Sequence, residues 1–436
     1  MDMTISPPPA LALPKSQAEI ARIQSERKRI VFERCRESRF HVKRLAGIDP
    51  AKLDDPAEWA KIPILDKDEL RSIPPDRFFE LFCMAPREDI CELWRSGGST
   101  GVPLFYPRTF RDMTYGLLSF ARAFELVGAG RGDTAHISFP LGIHPVGHVY
   151  ARVAQSMGIG VNWAGSGAGT PSALQVDLVR RLRPTIWMGM SSYGLHLANL
   201  AEAQGIDLAA CGVKRLMTSA EPLSDAKRAK LERMWGAKVY DTFGMTEAGL
   251  MGCESDAHDG FHVWTDMFLI EVVDPDTKRP VPEGEVGSLI VTPLWTNHAT
   301  PFIRWAAGDL VSYKSKGAAG GAFNVFPLVK HAHRTTGFFK VRGININHSE
   351  FEDFMFRFAA VSDFKAEIVT IKDLDTLRLS FEVKREADAQ AVTGEVAAAV
   401  KRTFEVSPEI VVLERGSLAR EFEGAVKAPR FQDKRA

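Results

Sequence analysis

Ser96-Gly97-Gly98-Ser99-Thr100-Gly101-Val102-Pro103-Leu104 is the stretch on which the reading of this chain turns. Glycine, serine and threonine fill its first six positions, between the run 90–94 and a long helix-like segment. Glycine lets several backbone N–H groups turn toward one point, and small hydroxyls add donors, which is what a polyphosphate requires. The G-x-x-x-x-G-K-[ST] spacing of the Walker A loop is missing. Read alone, the stretch serves equally well as a polar surface loop. The rest of the chain decides whether a nucleotide site surrounds it.

The 436 residues are enough for a large core and more than one domain. Lys+Arg and Asp+Glu balance at 55 each, so no global field draws the chain to nucleic acid or a membrane surface. No apolar run approaches the ~20 residues of a membrane span, and the N-terminus lacks the pattern of a signal peptide. Five cysteines without a C-x-x-C pair suit a reducing compartment, and a cytoplasmic location is expected.

Working outward, residues 1–15 are Pro-rich and read as disordered, and an amphipathic helix is expected over 16–45. Ile62-Pro63-Ile64-Leu65-Asp66-Lys67 reads as an extended link into a helix starting near Asp66. Helix 112–126 follows the Gly/Ser stretch. Strands at 135–139, 158–163, 185–190, 213–218 and 238–242 then alternate with helices at 146–157, 173–182, 193–203 and 225–235, the last capped by Ser224. That rhythm predicts a parallel sheet with helices on its faces. After Gly260, extended segments at 262–273, 287–292 and 302–305 with turn-rich spacers predict an antiparallel β unit. Residues 314–323 read as a loop. The tail from about 337 has strands at 338–341, 367–371, 377–383 and 409–413 and a helix at 388–403, enough for a small α+β domain. The fold class expected is α/β: a large N-terminal domain over 16–336 and a small C-terminal one over 337–436.

Four later segments can meet the Gly/Ser stretch. Ser219-Ala220-Glu221-Pro222 and Tyr240-Asp241-Thr242-Phe243-Gly244-Met245-Thr246-Glu247 both sit at the carboxyl end of expected strands, where open α/β sheets bind ligands. Glu247 beside Thr246 suits Mg²⁺, a hard cation that takes oxygen donors while ATP supplies the rest. In Arg304-Trp305-Ala306-Ala307-Gly308-Asp309, the aspartate suits a pair of ribose hydroxyls. Arg334 with Val341-Arg342-Gly343-Ile344-Asn345-Ile346 is the fourth, and far downstream Gly424-Ala425-Val426-Lys427-Ala428-Pro429-Arg430 sets one lysine among Gly and Pro. Singly, each reads as a helix cap, a turn or a solvated charge.

In this order the set resembles the adenylate-forming superfamily, and within it the phenylacetate–CoA ligase branch. Ser219-Ala220-Glu221-Pro222 is similar to that branch's Gly-Ala-Glu-Pro, and Gly260-Phe261-His262-Val263-Trp264 to its Gly-Leu-His-Ile-Trp. The similarity runs from about residue 20 to the C-terminus. It implies an AMP-forming acid–CoA ligase for an aromatic acid, with ATP, Mg²⁺ and coenzyme A as cofactors. Residues 96–101 would wrap the phosphates, and Ala220, Glu221, Pro222 and 240–244 would enclose adenine and AMP. Thr246 and Glu247 would serve phosphate and Mg²⁺, and Asp309 and Arg334 the ribose. Lys427, on a mobile small domain, would bridge the acid's carboxylate and the α-phosphate, and Gly343 would meet the pantetheine arm. The relatives' dimers extend to this chain as an analogy, a homodimer. The alternatives within the resemblance are an enzyme loading a carrier protein or an amine, and a degenerate member that binds nucleotide without turnover.

The sequence departs from the family in three places. Val102 stands where a lysine is usual, and Arg95 or Arg108 is a candidate replacement. Thr336 occupies the usual hinge carboxylate position. The branch's Cys-x-Cys is replaced by Lys330 and Ala332; Cys253 and His262 are kept, and His258, His331 and His333 either complete a substituted zinc site or, the preferred reading, are solvated loop residues. The acid pocket implied by the branch falls on Leu141, His144, Gly147, His148, Met245 and Met251, a largely apolar set in which a histidine can meet a polar substituent.

Overall fold

A computed structural model describes residues 11–95, 104–142, 144–318, 320–334, 338–341, 344–371, 374–423 and 429–435, with the side chains of 333, 334, 338 and 339 excepted. The fold is mixed α/β, as expected, and divides into two compact units, neither continuous in sequence. The first holds 1–132, 142–160 and 240–335; the second holds 133–141, 161–239 and 336–436.

In the first unit, strands run in the order Phe268–Val273, Val286–Pro293, Trp305–Lys314, Leu328–Arg334, Phe261–Val263, Gly249–Glu254 and Lys238–Met245. The pairs given by register are antiparallel, which is the β unit expected after Gly260. The two-residue strand Leu65–Asp66 joins Trp305–Lys314 in parallel, Leu65 opposite Trp305. Helix Gln17–Glu37 starts at Ser16, whose side chain accepts from Glu19 N, and ends well short of 45. It buries Val31, Phe32 and Cys35 against Leu45, Leu53, Trp59, Ile62 and Ile303. Each fully buried large side chain in such a cluster is worth about 1.5–3 kcal/mol relative to exposure. Order begins before residue 16, because Leu11 is buried and its carbonyl accepts from Arg122 Nη2 at 3.0 Å. That corrects part of the disordered stretch expected over 1–15; residues 1–10 lie outside the described residues.

The second unit contains the parallel sheet. Arg215–Ser219, Ile186–Gly189, Thr134–Ile137 and Gly160–Trp163 follow in that order, with the first three in parallel register. Helix Ser172–Leu182 lies between Gly160–Trp163 and Ile186–Gly189 in the chain, helix Ser191–Ala203 between Ile186–Gly189 and Arg215–Ser219, and helix Asp225–Trp235 follows Arg215–Ser219. Helix Asp225–Trp235 has the bounds the sequence indicates, with Ser224 Oγ accepting from Lys227 N and Gly236 closing it in the left-handed region. The stretch 337–436, expected as a small domain, falls inside this unit. It forms a four-stranded sheet in the order Glu409–Leu413, Leu374–Val383, Val361–Ile371 and Phe431–Asp433, flanked by helices His348–Phe356 and Ala389–Phe404. Buried charges tie its parts together. Lys230 donates to the carbonyls of Val361 (3.0 Å) and Ser362, and Lys227 lies 3.2 Å from Glu352. Arg430 bonds Asp363 through two nitrogens at 2.9 and 3.0 Å. Among the described residues no helix is long and apolar enough to cross a membrane.

Candidate active site

The stretch 96–103 lies outside the described residues, but its two ends do not. Strand Ile90–Arg95 pairs antiparallel with Phe105–Thr109, Arg95 opposite Phe105 and Trp94 opposite Tyr106. The Tyr106 hydroxyl donates to Glu247 Oε1 at 3.2 Å, and Lys67 Nζ lies 3.5 Å from the same oxygen. Glu247 is 3% exposed, so its carboxylate needs these partners. Burial, with the Glu247 carboxylate adding to it, pushes the Tyr106 phenol up and keeps it a hydrogen-bond donor. Among the described residues only Oε1 of this carboxylate is engaged.

Backbone contacts fix Glu247 from below. Arg108 donates to the carbonyls of Thr246 and Glu247 at 2.8 and 2.7 Å and lies over the Trp94 ring at 4.3 Å. It is buried, so the expectation that Arg108 replaces the lysine missing at Val102 is corrected: its guanidinium is taken up by the main chain. Asn297 Nδ2 adds a 2.7 Å bond to Glu247 O. The turn carrying Asn297 hangs on Asp112, which accepts from His298 N (2.7 Å), His298 Nδ1 (2.8 Å) and Ala299 N (3.3 Å) while capping its own helix through Thr109. Burial alone would raise the Asp112 carboxyl, yet the His298 bonds and nearby Arg108 bring it down to about 2.

Lys67 is the group the sequence reading did not point at the site. Asp66 caps its short helix by accepting from Glu69 N, and the pairing of Asp66 with Ala306 sets where Lys67 emerges. Arg304, expected as part of a ligand motif, clamps this segment: its guanidinium donates to the carbonyls of Ala60 (3.0 Å) and Ile62 (2.7 Å) and to Glu271 (2.9 Å). The visible signal was the cap pattern Asp66-x-x-Glu69; only the side chain's direction was hidden.

A second group gathers in the same unit. Tyr240 donates to Asp256 at 2.7 Å, and Thr242 Oγ1 accepts from Tyr150 at 2.8 Å. Asp241 N donates to Glu254 Oε2 at 2.9 Å. Phe243 stacks on Phe261 with ring centres 5.2 Å apart and meets the His331 ring edge-on at 6.2 Å. A Cβ on Gly244 would stand 2.6 Å from Gly249 O, so this crossing of strands requires glycine. Asp309 and Arg334, the expected ribose pair, are opposite one another in register, and His331 Nε2 lies 3.3 Å from Asp309 Oδ1. The Arg334 side chain lies outside the described residues, as do Lys427 and Gly343.

In the second unit Glu221 behaves differently. Its carboxylate accepts from Ser191 Oγ (2.6 Å), Ser192 N and Ser192 Oγ (2.8 Å), with Lys227 Nζ 3.5 Å away. Burial would raise this carboxyl, but Lys227 and the serines bring it down to about 2. Both oxygens of Glu221, expected to help enclose AMP, are engaged within the fold. Ala220, at φ +72°, and Pro222 are what this loop exposes.

The expected acid-pocket residues differ in burial. Met251 is fully buried in strand Gly249–Glu254. Gly147 is buried, Met245, Leu141 and His144 are half-buried, and His148 closes its own loop by a 3.2 Å contact with Gly142 O. The zinc question has a similar answer. Cys253 and His262 are neighbours in register but wholly buried, the thiol on Glu254 O (3.4 Å) and the ring on Phe323 O (3.2 Å). Burial pushes the Cys253 thiol well up, against the thiolate a metal needs. His258 instead lies 3.6 Å from Glu254. Among the described residues no three His, Cys, Asp or Glu side chains converge to hold a metal ion. The preferred reading of His258, His331 and His333 as solvated loop residues is corrected for His331 and His333, which stand in strand Leu328–Arg334.

The AMP-binding enzyme family matches residues 24–293, and the chain belongs to it. Among curated relatives, the phenylacetate-coenzyme A ligase of Aromatoleum evansii is 28% identical over 434 residues, 96% of either chain. That of Thermus thermophilus is 29% identical over 367 residues, covering 82% of this chain and 80% of the relative. Among solved structures, 2-hydroxyisobutyryl-CoA ligase in complex with 2-HIB-AMP superposes with a TM-score of 0.86 at 23% identity, over 98% of this chain and 94% of that one, a likeness of fold.

Proposed function

We propose that the chain is an ATP-dependent, AMP-forming carboxylic acid–CoA ligase acting on an aromatic acid. The observation that carries the reading is Glu247: a buried carboxylate, held by Tyr106 and Lys67 beside strands Ile90–Arg95 and Phe105–Thr109, with one oxygen that meets no partner among the described residues. Whole-length similarity to phenylacetate–CoA ligases supports the substrate class.

In the first step a carboxylate oxygen of the acid attacks the α-phosphorus of ATP, forming an acyl-adenylate as the bond to pyrophosphate breaks. In the second, the CoA sulfur attacks the acyl carbon, AMP departs with the bonding electron pair, and the thiol proton passes to solvent. Both partners in the first step are anions, so the protein's task is to position them and offset charge. A carboxylate oxygen without a partner among the described residues fits Mg²⁺, which takes one or two protein carboxylates and completes its shell with phosphate and water. When bound it would neutralise developing phosphate charge. Thr246 sits beside it, and the stretch 96–101 supplies backbone donors. Asp309, with His331 at its side, holds the ribose hydroxyls, and Lys427 carries the charge that joins carboxylate and α-phosphate. The large domain over 16–336 and the small one over 337–436 divide this labour.

The test is pyrophosphate release with ATP and Mg²⁺ against aromatic, aliphatic and amino acids, with and without CoA. Release that requires an aromatic acid and is accelerated by CoA supports the proposal. Acid-dependent release indifferent to CoA favours a carrier-protein or amine acceptor. Silence across the panel from protein that binds ATP favours a member without turnover.

A further inference from the structure

We infer that Glu423 is a positioning residue for the lysine-bearing segment that follows it, acting by docking into a receptor made by Gly167, Ser172 and His196. The inference rests on the reading of Lys427 as the adenylation lysine. One carboxylate oxygen of Glu423 accepts from Ser172 N, at the first residue of an eleven-residue helix, at 2.7 Å. The other lies 3.1 Å from His196 Nε2. The receptor's members also bond one another. Ser172 Oγ lies 2.9 Å from Tyr193 Oη and 3.0 Å from His196 Nε2, and Gln175 Nε2 reaches Tyr193 Oη (3.0 Å), Gly165 O (2.9 Å) and Thr170 O (2.9 Å).

His196 is 2% exposed and stacked on Tyr193, and its Nδ1 has no hydrogen-bond partner among the described residues. The ring is thus the neutral tautomer with its one proton on Nε2, aimed at the carboxylate. A helix N-terminus and an N–H donor together favour an anion here. Gly167 adds a separate observation: a Cβ there would collide with the carbonyl oxygen of Glu423. The receptor is cut to fit this backbone as well as this side chain.

The described residues on either side of 424–428 are bonded to different things. Arg430, three residues after Lys427, is bonded to Asp363 of the tail's own sheet and lies over the rings of Phe356 and Phe422. Glu423, four residues before it, is bonded to residues 172 and 196, outside the tail. Releasing Glu423 would leave the segment attached to the tail while freeing it from the receptor. The docked arrangement serves the step that uses Lys427 and is not needed for thioester formation.

The experiment separates the two half-reactions in the full-length protein. Glu423→Ala and Gly167→Ala should slow acid-dependent pyrophosphate release at least about tenfold, the worth of a hydrogen bond to a charged group. Both should leave thioester formation from supplied acyl-adenylate and CoA within about twofold of wild type. Glu423→Gln, which keeps an acceptor for Ser172 N, should fall between. Hydrogen exchange at the Ser172 amide, slow in wild type and accelerated in Glu423→Ala, reads the docking without turnover. Equal losses in both half-reactions, no loss in either, or an amide indifferent to the substitution would overturn the inference. A wild type silent with every acid tells instead against the ligase reading on which it rests.

Discussion

Two glutamates in this chain look alike on paper, each following a strand and each inside a short motif. Glu221, in the second unit, is consumed by the fold: two serine hydroxyls, a backbone N–H and Lys227 surround it. Glu247, in the first, is the more buried of the two, and among the described residues it is met on one oxygen only. A carboxylate with every lone pair satisfied is a structural joint, and one with a lone pair left over can take a ligand. The difference depends on the neighbours that chain topology brings in, Ser191 and Ser192 in one case and Lys67 and Tyr106 in the other.

The comparison can be broken at several points. The largest effect is expected at Lys427: replacement by alanine should lower pyrophosphate release by about a hundredfold or more while thermal and denaturant midpoints stay put. Next, Glu221→Ala should destabilise the chain by about 3–5 kcal/mol, because Lys227, nearly wholly buried, would keep Glu352 alone. A denaturant midpoint with an unchanged slope is the readout.

Asp112 comes third and has a pH signature. Its carboxyl sits at about 2 in the folded chain, against about 3.9 when unfolded. The stability this gives is present above the unfolded value and is lost as pH falls through it toward 2. Asp112→Asn should therefore be less stable at neutral pH by roughly 2 kcal/mol and show a flatter acid limb between pH 4 and 2. The smallest effect is expected for Tyr106→Phe, which removes one donor to Glu247 and should raise KM for ATP by about three- to tenfold with little change in kcat.

Much of this was legible beforehand where local chemistry decides. Helix Asp225–Trp235 announces both ends, with Ser224 before it and Gly236 after it. Strands Phe338–Val341 and Glu409–Leu413 fall where their β-branched and aromatic residues place them. Helix His348–Phe356 was missed although Asn347 caps it and Glu350 follows three residues later, a readable signal. Strand Val361–Ile371 was recognised only from 367, because Ser362, Asp363 and Lys365 look like a loop. They are buried, and Arg430 and Glu421 compensate the two charges among them. The strand expected at 302–305 begins where that expectation ends, since Arg304 sits at φ +48° and pairing starts at Trp305.

At the site, the order of the motifs disclosed the family, while side-chain direction stayed hidden. Arg108 and Arg304 look like anion ligands in a list of basic residues. In the fold they hold main-chain carbonyls. Met251, expected in the acid pocket, is wholly buried in its strand. Lys67, thirty residues before the Gly/Ser stretch, had no reason in the sequence to be paired with Glu247. Burial and long-range pairing decide such matters, and local pattern is blind to both.

The most direct measurement compares Glu247→Gln with Glu221→Gln in one assay of acid-dependent pyrophosphate release, alongside their denaturant midpoints. The account predicts that Glu247→Gln loses about a hundredfold in turnover and keeps its midpoint, while Glu221→Gln loses stability and, where folded, keeps most of its turnover. The reverse pattern, turnover lost at Glu221 and stability lost at Glu247, would contradict it.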